Sequence, residues 1–170
     1  MDRCENLKPL KQVLTYCLLL IVLGLALFGF SPSPALAEDY NQETLIGADF
    51  SDRDLTNSSF TRTNLRESNF SRANLQGVSM FGANLTGANL AGANLSNATL
   101  DNARFTKANL TDARLEGAYA FNARFDGAVI DGADFTDVQL RKDSQVVLCK
   151  AAKGINSVTG RSTRDTLYCD

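Results

Sequence analysis

The hydrophobic and polar residues in the middle of this chain alternate with a period of five. Over residues 45–140 every fifth residue is Leu, Phe, Met or Ile, and Ala120 is the exception. The residue two places before each of these is mostly small, and it is Ala in 13 of the 20 units. The residue between the small and the large one is mostly polar, and the second residue after the large one is often Gly. The repeating pattern is therefore small, polar, large, polar and corner.

Neither an α-helix nor a plain β-strand explains this period. Apolar side chains that form one face of a helix recur about every 3.6 residues, so a period of five would drift around its surface. A strand alternates with a period of two, and five leaves one residue over. We therefore predict a short extended piece that points its small and large side chains inward, followed by one corner residue. Gly, Asn and Asp at the corner accept tight-turn dihedrals, so stacked units predict a solenoid.

Individual units resemble those of the pentapeptide-repeat proteins. The sequence is A-N-L-T-G at residues 83–87, A-N-L-A-G at 88–92, A-N-L-S-N at 93–97 and A-D-F-T-D at 133–137. The resemblance implies an all-β solenoid, a right-handed quadrilateral β-helix with four units per turn and about five turns in this chain. It also implies that residues 20 apart stack in four inward columns, one on each face.

Three inward positions depart from the pattern. Glu43 and Arg53 occupy positions that are small elsewhere, and a charged side chain is costly in a dry core. One interpretation is an open first turn, loosely capped by residues 38–44, and the other is a structural salt bridge at the entrance. The fourth of the four columns, on what we call the fourth face, contains Phe60, Met80, Leu100, Ala120 and Leu140. Ala120 replaces a large residue there, and we expect a void or a local distortion.

The N-terminal residues have the pattern of an export signal. A weakly cationic segment with Arg3, Lys8 and Lys11 precedes an apolar stretch at 13–30. Pro32, Pro34 and a small-x-small sequence that ends at Ala37 follow it. This predicts a signal peptide over residues 1–37, cleaved after Ala37. No twin-Arg pair precedes the stretch, so we expect Sec-type export. The alternative is an uncleaved anchor, since 18 apolar positions approach the lower limit for spanning a bilayer.

Cleavage would change both the charge and the cysteine content. The whole chain carries a formal charge of −2, and the part after Ala37 retains 14 basic and 17 acidic residues. Cys4 and Cys17 would leave with the signal, and Cys149 and Cys169 would remain. Two cysteines in an exported protein predict one disulfide.

Residues 143–170 leave the period of five, which divides the chain into a signal (1–37), a β-helix (38–142) and a C-terminal helical cap (143–170). Asp143 or Ser144 is the predicted N-cap of a helix that runs to Lys153 and stops at Gly154. A second short helix is predicted from about Thr163.

The sequence of this C-terminal segment also carries a resemblance. C-K-A-A-K-G-I-N and, further on, T-G-R-S-T-R-D-T-L-Y-C are similar to the C-terminal cap of lumenal pentapeptide-repeat proteins from cyanobacteria and chloroplasts. The resemblance implies the thylakoid lumen as the location, ahead of the periplasm.

The composition excludes several kinds of chemistry. The chain has no His and no Trp, so His-based catalysis and His metal ligands are excluded. We predict no catalytic, cofactor-binding or metal-binding residues. Charged residues recur on the predicted wall, and we interpret them as a solvated mixed-charge surface rather than a catalytic carboxylate pair. They are Arg104, Arg124, Asp126, Asp112, Asp131 and Asp134.

Three aromatic residues occupy outward positions on the fourth face and form a candidate partner patch: Phe81, Tyr119 and Phe121. Exposed apolar clusters can mark a binding surface. The alternatives are that the C-terminal helices cover this patch or that it compensates the packing around Ala120.

Three functional hypotheses follow. The preferred one is a non-enzymatic, exported interaction scaffold with an unknown protein partner, without cofactor, small-molecule substrate or nucleic acid, and with membrane contact only through an uncleaved signal. The alternative is a DNA mimic of the gyrase-binding type, which the resemblance makes possible. Export and a nearly neutral charge oppose it. An enzyme is the third hypothesis, and the sequence offers no nucleophile–base pair for it.

Overall fold

A computed structural model describes residues 37–170, and the predicted signal segment lies outside the described residues except for Ala37. The repeat region consists of single-residue parallel β-bridges, each joining two residues that are 20 apart. The series begins with Asp39 and Ser59 and ends with Tyr119 and Gln139. The chain therefore forms a repeat solenoid whose backbone returns to the same face every 20 residues. We call each 20-residue turn a coil, and the first coil comprises residues 38–57.

The hydrogen bonds of one unit show why five residues suffice. The Met80 N–H donates to the Thr99 carbonyl of the following coil (2.8 Å), and the Asn84 N–H donates to the Thr63 carbonyl of the preceding coil (2.9 Å). Between them the Ala83 N–H donates to the Met80 carbonyl (3.0 Å) and closes a tight turn. Gly82, the third residue of this turn, has a φ of 67°, as a type II turn requires. The corner residue thus turns the chain without interrupting the ladder of hydrogen bonds.

The large side chains of successive coils fill the interior, and the inward alanines lie beside them with no exposed surface from Ala83 to Ala118. Aromatic rings stack where Phe residues recur 20 apart, as with Phe50 and Phe70 (4.9 Å between centroids) and Phe105 and Phe125 (5.1 Å). Burial of each Leu or Phe contributes about 1.5–3 kcal/mol, so a narrow solenoid still gains a sufficient core.

The first coil starts one unit earlier than the pattern predicts. Asp39 pairs with Ser59, and the Tyr40 N–H donates to the Ser59 carbonyl at 2.8 Å. The Tyr40 ring stacks on Phe60 with the centroids 4.7 Å apart. The interpretation of residues 38–44 as a loose cap is therefore wrong, since Tyr40 fills the inward position of a further unit.

Outward Asn side chains form hydrogen-bonded ladders along the solenoid. Asn109 donates through Nδ2 to Asn89 Oδ1 (3.2 Å), Asn89 donates to Asn69 (3.2 Å), and Asn69 donates to Asp49 Oδ1 (3.0 Å). A second ladder runs through three residues with bonds of 3.1 Å, from Asn94 through Asn74 to Asp54. In both ladders every donor points toward the N-terminal coil, and a carboxylate accepts the last bond.

The C-terminal segment contains two helices, α1 (Lys142–Ala151) and α2 (Thr163–Thr166). Arg141 is the N-cap of α1, and its side chain makes no capping bond. The predicted N-cap at Asp143 or Ser144 is wrong, as is the predicted end at Lys153. The last unit of the solenoid leads directly into the helix, so Asp143 lies within its first turn and pairs with Arg141 at 3.0 Å. At the other end Ala152 is already extended.

Between the helices, Ile155 and Ser162 form an antiparallel bridge. The Cys149–Cys169 disulfide joins α1 to the C-terminus with a Cα–Cα distance of 5.6 Å, which confirms the predicted pairing. Leu148 and Leu167 extend the hydrophobic core of the last coil. Among residues 37–170, no helix has the length and apolar character needed to cross a bilayer.

Candidate functional site

The aromatic patch on the fourth face lies on regular rungs of the solenoid. Tyr119 bridges Thr99 below it and Gln139 above it, so its side chain is held outward by the ladder. The side chains of Tyr119 and Phe121 are 47% and 56% exposed, whereas Phe81 is half-buried. The C-terminal helices therefore do not cover Tyr119 and Phe121, and the patch consists mainly of these two side chains.

The turn that carries Phe121 differs from the other corners. Between Gln42 and Asp137 the corner residues have a positive φ, with Asn122 as the exception. The Phe121 N–H donates to Asp101 Oδ1 at 2.8 Å, so a side chain of the coil below supports this turn. The local distortion expected at Ala120 thus lies in the backbone of its unit. Ala120 itself has no exposed surface.

The charged residues of the wall form separate contacts. Arg124 Nε donates to Asp126 Oδ2 at 3.2 Å, and both side chains are largely exposed. Such exposed pairs contribute about 0–1 kcal/mol. Asp131 pairs with Lys153 (3.5 Å), and Asp112 accepts a bond from the Ser157 N–H (3.0 Å). Asp131 and Asp112 thus contact the C-terminal segment, whereas the sequence pattern predicted that they lie on a solvated wall.

Asp134 is the one of these acidic side chains that is fully buried. Arg161 Nη1 lies 3.3 Å from Asp134 Oδ2, and the Thr136 N–H and hydroxyl donate to Asp134 Oδ1 at 3.0 and 2.6 Å. Burial raises the pKa of the Asp134 carboxyl, but the Thr136 hydrogen bonds and the charge of Arg161 outweigh it and hold the pKa below its ordinary value. The carboxylate is therefore ionised and structural, since it anchors the segment that carries Arg161.

Asn156 is a second buried polar contact between the C-terminal segment and the solenoid. Its Nδ2 donates to the carbonyls of Gly132 (2.8 Å) and Asp112 (3.1 Å), with Ala113 O more distant at 3.4 Å. Its Oδ1 accepts the N–H groups of Val158 and Thr159 at 3.0 and 2.9 Å. The sequence N-S-V-T-G predicts only a turn here, because no local pattern indicates contacts with residues that are 24 to 44 positions away.

The entrance of the solenoid combines elements of the two interpretations of Glu43 and Arg53. Arg53 pairs with Glu38 at 3.0 Å and lies over the Phe50 ring, 5.5 Å from its centroid. Glu43 is exposed and takes no part in that pair. The first coil is thus open at its end. Its salt bridge uses the carboxylate of Glu38, which the sequence pattern does not distinguish.

Metal-ligating side chains do not cluster in the part of the chain that the structure describes: no group of three or more Cys, Asp or Glu residues could hold a metal ion. Among residues 37–170 the geometry offers exposed surfaces and open clefts rather than an enclosed site. The aromatic patch and the two ends of the solenoid remain as candidates for binding.

Comparison with known proteins gives consistent results. A family model described as a pentapeptide repeat region matches residues 53–135. The crystal structure of a pentapeptide repeat protein from the Arabidopsis thaliana thylakoid lumen is similar, with 47% identity, a TM-score of 0.76 and coverage of 84% of this chain and 97% of that chain. A pentapeptide repeat protein from the cyanobacterium Cyanothece 51142 matches at 24% identity with a TM-score of 0.51, over 62% of this chain and 84% of that one. This second match shows similarity of fold alone.

A curated relative matches over a shorter stretch. The chloroplastic thylakoid lumenal 15 kDa protein 1 of Arabidopsis thaliana is 63% identical over 41 residues, which cover 24% of this chain. The matched stretch spans only 18% of that relative's own length.

Proposed function

We propose, from the premise that this chain belongs to the pentapeptide repeat family, that it is a non-enzymatic scaffold of the thylakoid lumen that binds another protein. The similar structure and the curated relative are both named as lumenal, which supports this location. The described residues present walls of short polar side chains, and their buried carboxylate is engaged in structural bonds. These features suit a surface for docking rather than a reaction centre.

The proposal also covers the handedness, the cross-section and the number of turns of the solenoid. We infer a right-handed quadrilateral β-helix of five turns, closed at its C-terminal end by α1, α2 and the disulfide. Bridges between residues 20 apart support four units per turn. A Sec-type signal that ends at Ala37 would deliver the chain to the lumen, where a disulfide can persist.

One observation carries the binding function. Tyr119 and Phe121 are large aromatic side chains that remain exposed on a wall whose other outward residues are mostly polar. Aromatic residues are enriched at the centres of protein interfaces, where they bury much surface at little cost in conformational entropy. A docking surface on this face explains both their exposure and the side-chain support that Asp101 gives to the turn of Phe121.

The test is crosslinking and affinity purification from lumenal extract with the wild-type chain and with the double variant Tyr119→Ser, Phe121→Ser. Val129→Ser is the matched control, because Val129 is 51% exposed on another face. We expect one reproducible partner with the wild type and the control, lost with the double variant, and unchanged thermal unfolding in all three. Recovery of the same partner with the double variant, or of no reproducible partner with the wild type, contradicts the proposal.

The location has its own test, by cell fractionation and N-terminal sequencing. The proposal predicts a lumenal chain that begins at Glu38. A cytoplasmic chain that begins at Met1 would overturn the export argument and revive the DNA mimic.

A further inference from the structure

The N-terminal end of the solenoid is an open β-edge. In the second coil, Asn64 uses its N–H and its carbonyl, and Arg66 its carbonyl, to bind the coil below, at 2.8, 2.8 and 2.9 Å. The equivalent groups of the first coil are the N–H and carbonyl of Thr44 and the carbonyl of Ile46, and they have no backbone partner among residues 37–170. The same arrangement recurs on the other faces. The edge therefore offers two carbonyl acceptors for each N–H donor.

Carboxylates add to this excess of acceptors. Residues 38–57 hold six acidic side chains and one arginine, and four of the acidic ones have no cationic partner within the described residues: Asp39, Glu43, Asp49 and Asp54. Hydrogen bonds from Ser51 hold the pKa of Asp49 below its usual range, and those from Thr56 do the same for Asp54. Lys and Arg side chains are donors only, so a cationic surface matches this edge.

The same end also exposes apolar surface. Ile46 is 53% exposed, and Tyr40 and Leu45 are only partly buried although they belong to the core. No further coil covers them within residues 37–170. A partner that fits this end is therefore cationic and carries apolar side chains as well.

The C-terminal end of the same chain has these properties. Residues 141–170 contain six Lys and Arg against three Asp. Lys142 and Lys150 lie two turns apart on α1 without a salt bridge in the described part of the chain. Between them Val146 is 53% exposed, and Tyr168, 71% exposed, lies across a shallow cavity of about 420 Å³ that Lys142 and Val146 also line.

We propose that a second copy of this chain docks its basic, apolar C-terminal end onto the acidic open edge of the first copy. The proposal rests on the proposed function in one respect, since it concerns the exported chain that begins at Glu38. A head-to-head contact is disfavoured because it would bring two sets of unpaired carboxylates together. Contacts between unlike ends do not close on themselves, so they produce open chains of molecules.

The size of the ends limits the strength of this contact. The open edge presents one coil of 20 residues, whereas a standard interface of about 1,600 Å² involves about 20–30 residues on each side. The opposite charges are exposed and hence screened by salt. We therefore expect weak association that grows with concentration at low salt and disappears at about 1 M salt, where the Debye length is about 3 Å.

The experiment is sedimentation velocity of the exported protein, with its N-terminus verified by sequencing, over a range of concentrations at low and high salt. The N-end variant is Asp39→Lys, Glu43→Lys, which leaves the carboxylates of the Asn ladders in place. The C-end variant is Lys142→Glu, Lys150→Glu. The wall control, Arg104→Glu, Lys107→Glu, makes the same charge change as the C-end variant at exposed residues away from both ends.

We expect the wild type and the wall control to associate at low salt and each single-end variant to remain monomeric. A wild type that stays monomeric at every concentration overturns the proposal. So does association that persists when either end is reversed, since another surface would then be responsible. The affinity purification with Tyr119 and Phe121 variants is independent of these residues, so either proposal can fail alone.

Discussion

Replacing Asn156 with Ala would remove the most connected buried side chain between the C-terminal segment and the solenoid. Its two short donor bonds, to Gly132 O and Asp112 O, would be lost and leave those carbonyls without their side-chain donor. Each buried acceptor left unsatisfied costs about 1–3 kcal/mol. The N–H groups of Val158 and Thr159 lie nearer the surface, so water can replace Oδ1 there. The expected loss is therefore about 3 kcal/mol, which corresponds to roughly 10 °C in Tm for a chain of this size.

Urea and thermal unfolding, followed by circular dichroism, measure this loss. Asn156→Asp is the informative second variant, because it keeps an acceptor for Val158 and Thr159 but places an oxygen where Nδ2 meets Gly132 O. It should be at least as destabilising as Asn156→Ala. Asn122→Ala is the control, since Asn122 is an exposed corner residue, and it should change stability by less than about 0.5 kcal/mol. The reasoning is refuted if Asn156→Asp is as stable as the wild type, or if Asn156→Ala loses no more than the control.

Three further predictions concern the C-terminal segment and the corners. Replacing both Cys149 and Cys169 with Ala removes a closure of about 20 residues and should lower the free energy of unfolding by about 3 kcal/mol, measured in urea without reductant. Asp134 has a lowered pKa in the folded state, so its contribution is complete above its unfolded pKa of about 3.9 and is lost as the pH falls through the folded value. The stability difference between wild type and Asp134→Asn should thus be constant above about pH 5 and shrink below about pH 4; an unchanged difference in acid would contradict the assignment. Gly87 has a φ of 72° and room for a methyl group, so Gly87→Ala should cost about 1 kcal/mol from backbone strain alone, and a larger loss in thermal unfolding would mean that the coil rearranges.

The repeat region could be predicted from sequence because each of its units is determined locally. The alternation of small and large inward residues fixes which side chains are buried, and the corner residue fixes where the chain turns. The similar structure from the Arabidopsis thaliana thylakoid lumen, at 47% identity, confirms the membership in the pentapeptide repeat family. The unit at Tyr40 is not evident from the sequence pattern. The position two residues before Tyr40 is Glu38 rather than a small residue, and a single Tyr ahead of the Leu and Phe series gives no signal by itself.

The C-terminal segment is less predictable from the sequence, because its structure depends on contacts with distant coils. The disulfide followed from the count of cysteines after cleavage, but the start of α1 depends on where the last unit of the solenoid ends. Arg161 and Asn156 reach carboxylates and carbonyls that are 24 or more residues away. No local pattern records such pairs. The same holds for the N-terminal edge, whose excess of acceptors appears only when the coils are stacked.

The Asn ladders have a direction, and the residue at their base sets it. A primary amide can stack either way round, but a carboxylate can only accept, so Asp49 and Asp54 oblige every Asn above them to turn its NH₂ group toward the N-terminus. The amide dipoles then add along each column, with their positive ends on the carboxylate. The column that begins at Thr44 lacks such a base, and there Asn64 Oδ1 is buried without a partner. A single acidic residue in the first coil thus orders side chains up to three coils away.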